Sequence, residues 1–123
     1  MESLPSLPMN GSILAVENLF YPFGRAARVV EAAGLSVCMD TGHLVRTGTD
    51  IASFFEAHRQ RIRLIHLQGA DENREHLALD RLSGEDRATV RGILPGFDGW
   101  VTIEVFDRGR LDASLDTLQS ILS

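Results

Sequence analysis

The feature that most constrains this chain is an alternation that occurs four times. A short apolar run closes on a polar residue and is followed by a segment whose apolar residues return at helical spacing. The first run is Ile13 to Val16, ending in Glu17 and Asn18; Ala26, Val29, Val30 and Ala33 follow at helical intervals, with Gly34 as the stop. The second is Leu35 to Met39, ending in Asp40. A loop with Gly42 and Gly48 then leads to Thr49 or Asp50, either of which can cap a helix carrying Ile51, Phe54 and Phe55. The third is Ile62 to Leu67, which contains His66. A polar loop follows, and Ser83 with Asp86 opens the next helix in the manner of a capping box; Pro95-Gly96 ends it. The fourth is Val101 to Val105, with Glu104 near its end, and Leu111, Leu115, Leu118 and Leu122 mark a final amphipathic helix. Strands separated by helices long enough to cross back over them give a parallel sheet with right-handed connections. The expected fold is therefore α/β, a parallel (βα)4 unit over residues 13–123. Residues 1–12, broken by Pro5, Pro8 and Gly11, form an irregular lead-in.

Composition narrows the function classes. With 44% hydrophobic residues in 123, the chain has enough apolar material for one core and no disordered tract. No apolar run approaches about 18 residues, so a membrane span is not expected. A net charge of −5 argues against nucleic acid as the main partner. The single cysteine, Cys38, excludes an internal disulfide and fits a reducing cytoplasm, and the N-terminus lacks the basic start of a secretory signal.

The polar residues at the run ends carry the functional signal. Glu17, Asp40, His66 and Glu104 each fall at or near the C-terminal end of a predicted strand, the edge where parallel α/β folds place their active sites. A single strand-end carboxylate is commonly only a helix cap; four metal-capable side chains at one level are harder to assign that way. Three carboxylates and an imidazole suit Mn²⁺, Co²⁺ or Mg²⁺ better than Zn²⁺ held by thiolates. Cys38, inside a strand, reads as a small buried thiol.

These residues stand in the segments ENL at Glu17, CMDTGHL with Asp40 and His43, IHLQG with His66, and TIEVFD with Glu104. Together they resemble the xylose isomerase-like TIM-barrel superfamily, which includes sugar isomerases, ketose epimerases and endonuclease IV-type enzymes. The resemblance runs from Ile13 to the C-terminus and implies the C-terminal half of an eight-unit barrel. It further implies a single-metal set of Glu17, Asp40, His66 and Glu104, with Glu17 and Glu104 also the catalytic acid/base pair. His43 and His76 are then substrate-binding candidates, or ligands of further zinc ions in the endonuclease IV-like branch. That branch has an aspartate two residues before the later histidine, where this chain has Arg74. The implied activity is metal-dependent isomerisation or epimerisation of a sugar or sugar phosphate. ENLFYPF, MDTGHL, IHLQG and EHLALD also look like the cobamide-remodelling phosphodiesterases, which implies hydrolysis of a corrinoid as the alternative. Four strands leave two open edges, so a homodimer, a missing N-terminal half-barrel or an inactive fragment are all open expectations.

Other features read more plainly. Asp71, Glu72 and Glu75 look like solvated loop charges, His58 like a helix residue beside Phe54 and Phe55, and Gly42 and Gly48 like turn residues. Tyr21, Pro22 and Phe23 are expected to wall the pocket or cover a helix start. Trp100, just before the last strand, is expected to pack in the core or at an edge.

Overall fold

The computed structural model describes residues 13–123, and the lead-in assigned to residues 1–12 lies outside them. In chain order the elements are β1 (Ala15–Glu17), α1 (Phe23–Ala33), β2 (Ser36–Asp40), α2 (Thr41–Arg46), α3 (Ile51–His58), β3 (Ile62–Leu67), α4 (Gly84–Ile93), β4 (Trp100–Ile103) and α5 (Arg108–Leu122). Short 3₁₀ turns at Leu79–Arg81 and Leu94–Gly96 flank α4. The four strands form one sheet in the order β1-β2-β3-β4, and every pair is parallel. This is an α/β fold in keeping with half of a TIM barrel.

The helix ends follow local chemistry. Asp50 accepts from Ser53 N at the start of α3, Ser83 from Asp86 N at α4, and Asp107 from Arg110 N at α5. Each cap of this kind is worth about 1 kcal/mol. Gly34 closes α1 at φ 66°, a left-handed conformation that glycine takes without steric cost.

The sheet has two unlike faces. Val37, Met39, Ile62, Ile65 and Leu67 belong to the core with Val30, Leu44, Ile51, Phe54, Leu79, Leu82, Val90 and Ile121. Ile62 and Ile65 share this core although they are three residues apart in one strand. A register shift reconciles them: Val37 pairs with Ile62, but Cys38 pairs with Leu64. The extra residue, Arg63, turns Leu64 and His66 to the other face. There Asp40 pairs with His66, so two of the candidate ligands are direct lateral neighbours.

Three expectations need correction. The segment after Asp40 is not a loop but the short helix α2, because Asp40 caps it by accepting from His43 N. On α5 the buried positions are Ser114 and Ile121, with Leu118 packed beside them, whereas Leu111, Leu115 and Leu122 are exposed. The leucine stripe thus lies partly off the docking face: α5 seats against the Leu79–Arg81 turn through Ser114, whose Oγ accepts from Leu79 N at 3.1 Å. Trp100 opens β4 itself and is 80% exposed. It stands on β4, which among the described residues is an edge strand.

Candidate metal centre

The parallel order brings the four strand ends to one edge. Glu17 ends β1, Asp40 ends β2, His66 is the penultimate residue of β3, and Glu104 directly follows β4. Glu104 continues the ladder, its N–H donating to Leu67 O at 2.8 Å. Ligand atoms of these four side chains all lie within 4.8 Å of one another. Donors across an ion with bonds near 2.1 Å stand about 4.2 Å apart, so small side-chain adjustments suffice for a common cation. His66 Nδ1 occupies the middle. It lies 3.2 Å from Glu17 Oε1, 3.3 Å from Glu104 Oε2 and 3.8 Å from Asp40 Oδ2.

Three carboxylates around one ring nitrogen repel one another. Burial raises the proton affinity of Glu17 and Glu104 above the ordinary carboxylate value, and the neighbouring Asp40 raises both further. The positive character of His66 opposes the shift. A divalent cation would remove this repulsion, and the oxygen-rich donor set fits a hard ion. Cys38 lies below the cluster, and its sulfur forms a second close group with Glu17 and His66. Burial pushes its thiol up to about 12, helped by the charges of Glu17, Asp40 and Glu104.

Beneath the cluster is a ring of buried polar side chains. Asn18 clasps the backbone of Asp40, accepting from its N–H at 2.7 Å and donating to its carbonyl at 3.2 Å. Thr41 Oγ1 accepts from Gln68 N at 3.1 Å and donates to Gln68 O at 2.9 Å. Gln68 Nε2 donates to both oxygens of Asp40 at 2.9 Å. Sequence reasoning left these three residues without a role. Each carried a usable signal, being a polar residue within two positions of a strand-end candidate ligand: Asn18 after Glu17, Thr41 after Asp40 and Gln68 after His66.

His43 is buried beside the cluster. Its Nδ1 meets the carbonyl of Asn18 at 2.9 Å, which only accepts, so the neutral ring carries its proton on Nδ1 and presents Nε2. Phe20 packs edge-on against this ring at 5.1 Å, and the Arg46 guanidinium lies over the Phe20 ring at 4.8 Å. His76 comes from the loop after β3, which closes through the paired residues Gly69 and Leu77. Its ring packs at a tilt against Phe106, 4.3 Å between centroids, and its Nδ1 meets Glu104 O at 3.3 Å. Glu75 is not a solvated loop charge as expected. It pairs with Arg46 at 3.2 Å and places its two oxygens 3.8 Å from His43 Nε2 and 3.7 Å from His76 Nε2. Asp71 caps the turn through Asn73 N and Arg74 N. Phe23 covers the base of α1 against Phe54 and His58, while the Tyr21 hydroxyl returns to Glu17 O at 2.5 Å.

Among the described residues, no helix is long and apolar enough to cross a membrane. No curated protein matches the chain. A family model described as xylose isomerase-like TIM barrel matches residues 2–122, all but the two terminal positions. The strand-end cluster, the parallel (βα)4 order and this match agree, and the chain belongs to the xylose isomerase-like TIM barrel family.

Proposed function

We propose that this chain carries the metal and acid–base centre of an isomerase or epimerase acting on a sugar or sugar phosphate. The observation that supports this reading is the meeting of Glu17, Asp40, His66 and Glu104 within about one coordination sphere. When bound, Mn²⁺, Co²⁺ or Mg²⁺ supplies Lewis acidity toward adjacent sugar oxygens. The proton work falls to Glu17 and Glu104, which flank His66 Nδ1. One takes the proton from the carbon beside the carbonyl and the other returns one, help worth about 10²–10⁴-fold. Asp40 is fully buried with both oxygens already engaged, so it holds rather than shuttles. His43 presents Nε2 to a substrate hydroxyl, and His76 borders the same space. Incubation with Mn²⁺ or Co²⁺ and candidate ketoses in D₂O tests the reading. Deuterium entering the carbon beside the carbonyl supports it, and failure to bind any divalent ion at micromolar levels ends it.

A hydrolytic reading draws on one further observation, the placement of Glu75 between His43 and His76. Those groups could hold an additional ion, as suits a phosphodiesterase acting on a corrinoid nucleotide loop. The readings part on two measurements: metal content per chain, and whether ¹⁸O from water enters the product. For either chemistry we place the working site in a closed barrel, formed with a second copy or an N-terminal half-barrel. Exposed Trp100 and Val101 in β4, Phe106 just after it, and exposed Ile13 and Leu14 just before β1 favour such closure.

A further inference from the structure

Gln68 is built into the molecule more firmly than a core glutamine needs to be. It directly follows β3 and is fully buried. Its backbone is clasped on both sides by Thr41 Oγ1, which fixes it against the start of α2. Its Nε2 donates to both oxygens of Asp40 and lies 3.5 Å from Glu104 Oε2, while its Oε1 accepts from the backbone N–H of His76. An ionised carboxylate only accepts and a backbone N–H only donates, so these partners allow the amide one orientation.

Two costs elsewhere maintain this placement. Gly42 stands in the first turn of α2, where glycine is a poor helix former. A Cβ there would fall 2.5 Å from Gln68 Cγ, so only glycine leaves room for the side chain. His76 takes φ 59°, an uncommon conformation for a residue with a Cβ, and thereby aims its N–H at Gln68. Arg110 secures the same residue from the other side, donating to His76 O at 3.1 Å.

Asp40 Oδ1 already accepts from His43 N at 3.0 Å as well as from Gln68. Oδ2 has Gln68 alone and faces His66 Nδ1. We propose that Gln68 is a positioning residue acting through Asp40: it fixes Oδ2 as the oxygen offered to a divalent ion and ties that choice to the backbone of His76, so ion binding and the placement of the 69–77 loop are coupled. This deepens the metal reading above and rests on it. Coupling of this kind is reciprocal: an ion that prefers the fixed Asp40 must also favour the closed loop.

The test uses the full chain and Co²⁺ alone. Gln68→Met keeps the length and removes the amide. It should weaken Co²⁺ binding by about 10–100-fold and change the visible absorption bands of the ion at saturation. Cobalt should slow hydrogen exchange at the His76 N–H in the unaltered chain but not in this variant. Gly42→Ala is the second variant, and it decides the matter if Gln68→Met does not fold. Alanine favours the helix yet displaces Gln68, so affinity and spectrum should change in the same direction. Ser114→Ala, which removes a buried hydrogen bond far along the chain, controls for general destabilisation and should leave both readouts unchanged. Unchanged affinity and spectrum in the folded Gln68 and Gly42 variants overturn the role of Gln68 alone. Absence of cobalt binding by the unaltered chain overturns the metal reading together with it.

Discussion

At the scale of single residues, the cluster sets charge against fold. Glu17 and Glu104 have raised proton affinities in the folded chain, so the fold favours their protonated forms. Without a divalent ion, their contribution to stability is present below the ordinary value of 4.5 and is lost as pH rises through the raised folded values. Thermal melts of the metal-free chain should therefore fall from pH 4.5 toward neutral. Glu17→Gln and Glu104→Gln should each flatten that slope, raise the neutral-pH melting temperature slightly and lower any proton-transfer activity by about 10²–10⁴-fold. A large loss of stability in either variant would instead assign that glutamate a structural task. Asn18 is the converse case: Asn18→Ala abandons both backbone groups of the buried Asp40 and should cost about 1–3 kcal/mol in urea unfolding.

The elements show which parts of the pattern a sequence can display. The strands were legible because their apolar runs are bounded, and α1, α3 and α4 because Gly34, Asp50 and Ser83 are local signals that need no distant partner. The meeting of the four strand-end residues at one edge was legible for the same reason, each being a polar residue that breaks an apolar run. What local pattern hid depends on partners far along the chain. Helix α2 has few apolar residues and exists because Asp40 caps it and Gln68 lies across Gly42. Glu75 looks like any loop acid until Arg46, from 29 residues earlier, meets it. On α5 the leucines outnumber the buried positions, and only the Leu79–Arg81 turn reveals that Ser114 marks the inner side. Two substitutions probe this level. Gly34→Ala forces a left-handed alanine and should destabilise α1 by about 1 kcal/mol. Ser114→Ala leaves Leu79 N–H buried without a partner and should cost more than the surface change Leu115→Ala, both read from denaturant midpoints.

At the scale of the whole sheet, β1 and β4 are each paired on one side only among the described residues, and the apolar side chains near them are open to water. Val101→Lys places a charge on the outer edge and should reduce self-association in analytical ultracentrifugation, since edge lysines discourage strand addition. Trp100 is the single tryptophan, so its emission reports the same event: a blue shift with rising protein concentration is expected if copies cover that edge. The sheet order has a kinetic consequence as well. Each strand lies beside the one that precedes it in the chain, so no strand must be held in reserve for insertion between two later ones. The unit can grow by adding one strand and helix at a time, as a polypeptide leaves a ribosome. Amides of β2 and β3, enclosed on both sides, should then be the last to open in native-state exchange, with the outer strands releasing theirs first.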